Sequence, residues 1–161
     1  LLFLRKLKRM DIVVEKPDGR QQKQSISMSI ESLSARGSRQ IAKLAATNGN
    51  KRYFIYKKAL PVPNTLNEPL RGSVESSEIT VAIPLDQETH DSIRTDLPST
   101  VFAYLPTETS LPEVSCVFNA DWLLVASREA IREDPEWNLW LRKKLPEVFQ
   151  SGFMALLSSD L

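Results

Sequence analysis

At 161 residues, 42% apolar and 25% charged, the chain has the size and composition of one globular domain with a core of its own. No apolar run approaches the roughly 18–20 residues of a membrane helix, and the basic residues that follow residues 1–4 stand on the wrong side of the apolar stretch for a secretory signal. A single cysteine and a single histidine exclude an internal disulfide, a lone-cysteine zinc site and any histidine pair on a metal.

The net charge of +1 conceals an asymmetry, with 15 Lys/Arg against 7 Asp/Glu in residues 1–80 and 6 against 13 in residues 81–161. Two halves that pack together and partly neutralise each other account for this; a basic half that faces phosphate is the alternative. Without a secretory signal or paired cysteines, a cytosolic or nuclear parent is expected. The opening at Leu1, inside an apolar run, is expected of a segment cut from a larger protein.

Residues 1–9 place Leu1, Leu4 and Leu7 on one helical face, which predicts a short helix. Ile12, Val13 and Val14 predict a strand, Lys16-Pro17-Asp18-Gly19 a turn, and the alternation of Ile26, Met28 and Ile30 with serines a second, half-buried strand. A second hairpin is expected from residues 41–46, the Asn48-Gly49 turn and the aromatic run Tyr53-Phe54-Ile55-Tyr56. Residues 60–77, with their prolines, asparagines and Gly72, predict a mobile loop. Ile79, Val81 and Ile83 form a further strand. Residues 86–99 are polar, with at most an irregular helical turn, and residues 101–105 and 114–118 predict two more strands bounded by Pro106 and Pro112. Ser127 is expected to open a helix.

The C-terminal stretch carries the plainest helical pattern. Asp134 suits a cap and Pro135 the first helical position. The apolar stripe of Trp137, Trp140, Leu141, Leu145, Val148, Phe149, Phe153, Leu156 and Leu157 follows, with Pro146 expected to break or kink it near Leu145. The predicted architecture is α+β: a mixed, mostly antiparallel sheet covered by C-terminal helices, in one domain over residues 1–161.

Little in the chain carries chemistry. His90 lies in a polar stretch and predicts a solvated surface residue. Cys116 lies in an apolar strand and predicts a buried, inert thiol. Glu133 and Asp134 suit helix capping better than acid–base work. Phosphate-binding glycine loops and nucleophile motifs are absent from the sequence. Tyr53, Phe54 and Tyr56 among Lys51, Arg52, Lys57 and Lys58 fit either a base-stacking platform or a central strand with a solvated basic flank. Arg128, beside Ser127 and Glu129, sits where an apolar strand ends. A guanidinium there can reach past the domain to a phosphate, or pair with Glu129 or Glu133.

Several motifs in order change this picture. They are Val101-Phe102-Ala103-Tyr104-Leu105-Pro106-Thr107-Glu108-Thr109, then Phe118-Asn119-Ala120-Asp121-Trp122-Leu123-Leu124, then Ala126-Ser127-Arg128-Glu129-Ala130-Ile131, then Trp137-Asn138. Together they resemble the sacsin and NO VEIN group, in which a "FAYLPT"-like strand precedes a "DFLL-SSRE-I" segment and a "WN" helix start. Residues 1–7 resemble the opening of the same region, just downstream of an ATP-binding domain of the gyrase, heat-shock-chaperone, histidine-kinase and MutL (GHKL) type. Ser127-Arg128-Glu129 is also similar to the "SRE" of the middle domain of ninety-kilodalton heat-shock chaperones, whose arginine reaches the γ-phosphate in the neighbouring nucleotide domain.

The resemblance covers most of residues 1–12 and 100–140. Trp122 stands where the group has Phe, and Ala126 where it usually has Ser.

The resemblance implies a middle, or transducer, domain with the fold of the second domain of ribosomal protein S5. Arg128 would be its catalytic arginine, acting in trans, with Ser127 and Glu129 as loop support. ATP and Mg would bind in the preceding N-terminal domain of the same protein, with no cofactor or metal held by this chain. That nucleotide-binding domain and a protein client are the expected partners; a membrane and nucleic acid are not. The chain alone is expected to turn over no ATP. The alternative is a protein-interaction scaffold in a parent without ATPase activity.

Overall fold

The computed structural model describes residues 1–4, 6–35, 37–86, 92–97, 99–111 and 114–159. His90 and Pro112 lie outside these residues. Among the described residues the architecture is α+β: one sheet in the order β1-β2-β3-β4-β5-β8-β6-β7, with a single C-terminal helix. The strands are β1 (Arg9–Glu15), β2 (Gln21–Ser32), β3 (Arg39–Ala46), β4 (Gly49–Pro61), β5 (Ser76–Leu85), β6 (Thr100–Ala103), β7 (Leu105–Pro106) and β8 (Val117–Asn119); the helix is α1 (Glu136–Leu157). β1 to β5 form an antiparallel meander. β8 then adds antiparallel to β5, and β6 lies parallel to β8, the one parallel ladder among the described residues.

Alternation along β4 divides the two faces of the sheet. Phe54 and Leu60 point into the main core, with Val81 and Ile83 of β5 and Trp137, Leu141 and Val148 of α1. Tyr53 and Ile55 point to the opposite face, where Ala42, Ala82 and the partly buried Leu2 and Phe3 form a second cluster. The aromatic run of β4 is therefore core, not a base-stacking platform: Tyr53 and Phe54 are buried, and Tyr56 lies against α1. There the backbone of Gly152 comes so close that a Cβ would stand 3.2 Å from Tyr56 Cβ. A side chain at residue 152 would require Tyr56 to give way by a few tenths of an ångström.

The described residues of 1–8 form no helix. One turn closes with the Leu4 N–H donating to the Leu1 carbonyl at 2.9 Å, and β1 has begun by Arg9. Leu2 and Phe3, adjacent in sequence, both pack on the sheet, and Phe3 meets Phe102 edge-on at 5.1 Å. The sheet thus takes up Leu2 and Phe3, while Leu7 of the expected stripe is 39% exposed.

Other boundaries move as well. β4 and β5 extend to Pro61 and Ser76, so the connection between them is shorter than residues 60–77. The expected strand at 114–118 shifts to Val117–Asn119, and Pro106 lies within β7. There a missing N–H is tolerated because β7 is the edge of the sheet. Residues 92–97 show no helical turn; Ile93 instead bridges back to Leu85.

α1 runs unbroken for 22 residues through Pro146. Pro146 is exposed, and buried side chains on both sides, Leu141 and Val148, clamp the helix to the sheet across the lost hydrogen bond. Leu157, expected in the apolar stripe, is 65% exposed. Asp134 does not cap. It pairs with Arg132 at 3.4 Å in solvent, Pro135 occupies the cap position, and no side chain caps the helix.

Ion pairs that link the basic and acidic halves include Lys58 with Glu147 at 2.8 Å and Arg71 with Asp121 at 3.0 Å. Hydrogen bonds from Lys58 and then Lys144 hold the Glu147 carboxyl down, from its usual 4.5 to about 2. A carboxylate whose pKa is lowered on folding stabilises the fold above its unfolded value, and that stability is lost as pH falls through the folded one. Acid titration of unfolding is therefore expected to show stability falling between about pH 5 and pH 2, with a shallower fall in Glu147→Gln. An identical slope in the variant would mean that the pair contributes nothing.

Candidate functional site

Beyond Asn119 the chain leaves the sheet and forms a small hairpin whose tip carries Arg128. The stem is closed by an antiparallel bridge between Leu124 and Ile131, by the Arg132 N–H donating to the Leu123 carbonyl at 3.0 Å, and by the Val125 N–H donating to the Ala130 carbonyl at 3.0 Å. Ser127 therefore opens no helix. Residues 126–129 turn back on themselves, and the Arg128 N–H donates to the Val125 carbonyl at 2.9 Å. Two β-bonded stems four residues apart leave no room for a helical turn between them.

The loop is braced from three sides. The fully buried amide of Asn138, in the first turn of α1, accepts from the Leu123 N–H at 2.9 Å. It donates to the Leu123 and Arg132 carbonyls, both at 2.8 Å. The Glu108 N–H donates to the Glu129 carbonyl at 2.7 Å and ties the tip to the segment after β7.

The third brace begins with Arg71, in the connection between β4 and β5. It stands 5.3 Å over the Trp137 ring and donates to the Asp121 and Trp122 carbonyls at 2.7 and 3.2 Å. The Trp137 indole N–H donates to the same Asp121 carbonyl at 2.7 Å. One end of the stem is thus fixed by a cation, an aromatic ring and a backbone carbonyl from three distant parts of the chain.

Within this frame Arg128 holds a left-handed backbone, φ 64°. A non-glycine residue is uncommon there and is strained unless its surroundings enforce it. Its side chain is exposed and makes no hydrogen bond or ion pair among the described residues. The ion pairs to Glu129 or Glu133 that the sequence allowed do not form. Ser127 and Glu129 are exposed beside it, and Ser127 Oγ accepts from the Glu129 N–H at a long 3.5 Å. The three residues singled out by the sequence are thus brought together. Those that hold them in place, Asn138, Arg71 and Asp121, were not assigned a role in advance.

The arrangement fixes the backbone that carries an exposed positive charge, but it does not enclose a ligand. A groove of about 570 Å³ on the opposite face of the sheet is lined by Asn119 and Asp121 but by none of residues 126–129. Among the described residues no group of three or more His, Cys, Asp or Glu could hold a metal ion, and no helix is long and apolar enough to cross a membrane. Cys116 is buried, and burial pushes its thiol up to about 12, far from the thiolate that reactivity needs.

Fold and loop together define an α+β domain that displays one unpaired guanidinium on a braced hairpin. No family model matches the chain, and no solved structure matches it. Among curated proteins the chain is similar to Protein NO VEIN of Arabidopsis thaliana, with 28% identity over 122 residues. The match covers 75% of this chain but 4% of that protein, so the relationship is NO VEIN-like over a small part of a much longer relative.

Proposed function

We propose that the chain is the middle, or transducer, domain of a chaperone-like GHKL ATPase, with Arg128 as the group that reports on ATP in a preceding nucleotide-binding domain. The observation that carries this reading is the unpaired Arg128 guanidinium at the tip of a hairpin whose stem and tip are both fixed. A charge placed in advance stabilises a transferring phosphoryl group without having to reorganise during the reaction.

The ordered motifs of residues 101–138 support the same reading, as does the similarity to NO VEIN. The fold would be that of the second domain of ribosomal protein S5, a reading with which the mixed sheet and the α+β class agree. ATP and Mg would then bind outside this chain, and domain closure would bring Arg128 to the γ-phosphate. Ser127 and Glu129 would shape the loop, and the change would pass to downstream parts or to a client.

The test is ATP turnover by the full-length protein, wild type against Arg128→Ala. A fall of about 10²-fold or more, with nucleotide still bound, is expected for the loss of one charge-stabilising donor. Equal rates would overturn the proposal. No turnover in either protein would favour the second reading, a protein-interaction scaffold, for which the fully exposed β1 offers a pairing edge.

A further inference from the structure

The sheet ends on one side at β1, seven residues long and exposed along its whole length. Its register with β2 is unbroken from Arg9↔Ser27 to Glu15↔Gln21, so the strand carries no bulge. It contains no proline, and its charged residues, Arg9, Asp11 and Glu15, are of both signs.

The hydrogen bonds just outside the strand fix which way its backbone points. The Met28 N–H donates to the Lys8 carbonyl, and the Lys16 N–H to the Arg20 carbonyl, both at 2.8 Å. In an antiparallel ladder the bonded pairs alternate, so the even-numbered residues from 8 to 16 face β2. Arg9, Asp11, Val13 and Glu15 therefore turn their N–H and C=O groups outward, away from the sheet.

We propose that this edge pairs antiparallel with β1 of a second copy of the chain, on a two-fold axis at Ile12. That register sets Arg9 opposite Glu15 and Asp11 opposite Val13, so every outward N–H and C=O meets its counterpart. On the other face Met10 lies opposite Val14, and Ile12 meets itself. These three residues are 38%, 38% and 48% exposed, and Met10 adjoins Ile26 of β2, while Ile12 and Val14 stand beside Gln24 and Gln22.

Charge selects this register from its neighbours. Moving the axis to residue 11 sets Asp11 against Asp11. Moving it to residue 13 sets Asp11 against Glu15. Like charges directly opposite destabilise an antiparallel pair, and opposite charges support it. Axes between these positions would bring outward groups against inward ones and form no ladder. Arg9, already bonded to Asp11 at 3.0 Å, would then lie between two carboxylates. An isologous contact of this kind closes on itself at two copies, because each chain has used its one long edge.

Light scattering or sedimentation of the full chain, at about 1 to 500 μM, tests the pairing. The wild-type chain is expected to pass from monomer to dimer over that range. Val13→Pro removes one outward N–H without touching the ladder to β2, and is expected to leave a monomer with an unchanged circular-dichroism spectrum. Arg9→Glu and Glu15→Arg should each weaken self-association by about tenfold or more. An equimolar mixture of those two variants should restore it, because each then presents the charges that the other lacks. A wild-type chain that stays monomeric, or dimers indifferent to Val13→Pro, would overturn the proposal. So would a mixture that associates no better than its components, and that result does not depend on the proline variant folding.

Discussion

Trp137→Ala is expected to cost about 3–5 kcal/mol of folding stability, the range for truncating a large buried aromatic side chain. Trp137 is 1% exposed, packs against the Trp140 ring at 5.3 Å, and carries the Arg71 guanidinium on its face. Its removal takes away the donor to the Asp121 carbonyl as well as the ring volume. The loss therefore falls on the core and on the arginine loop together. Chemical denaturation of the two proteins measures it. A midpoint unchanged from wild type would mean that the helix does not depend on this anchor, and the packing described above would be wrong.

A second large effect is expected at Asn138, where the consequence comes from polarity and not from size. Asn138→Leu keeps roughly the side-chain volume but leaves the Leu123 N–H without a partner in a buried site and the Arg132 carbonyl without one in a part-buried site. The Leu123 carbonyl keeps the Arg132 N–H. Two orphaned groups at about 1–3 kcal/mol each predict a loss of about 4 kcal/mol. The hairpin stem should also loosen, so hydrogen exchange at the Leu123 amide should accelerate more than exchange in β4. Protection that falls equally everywhere would show that Asn138 contributes to the core without specifically holding the loop.

Much of the sheet was legible because its strands alternate. Ile26, Met28 and Ile30, the Asn48-Gly49 turn, and Ile79, Val81 and Ile83 gave their elements without help, since a period of two or a tight turn is a local property. The same holds for the apolar stripe of α1. What the sequence did not show depends on partners distant in the chain. Residues 1–8 have a helical spacing, yet Leu2 and Phe3 are claimed by Ala42, Tyr53, Ile55 and Ala82. Pro146 should stop a helix, yet clamping on both sides carries the helix through it.

The candidate site divides in the same way. Arg128 was found by its place after an apolar strand and by resemblance, but the expected helix at Ser127 is a hairpin. The role of Asn138 was hidden because an asparagine inside a helix shows nothing of which carbonyls it will meet. A usable signal was the polar residue at 138 between Trp137 and Trp140, on the side of the helix that is otherwise buried.

The strand order also imposes a sequence of events on assembly. β1 to β5 pair with one another in chain order and can form as they are made. β6, made before β8, has no place in the sheet until β8 lies against β5. The hairpin of Arg128 and the Asn138 that fixes it come later still. A nascent or half-unfolded chain can therefore hold most of its sheet while presenting no ordered arginine. The charge becomes available only when the last helix has docked, which makes a finished fold a precondition for any signal that Arg128 carries.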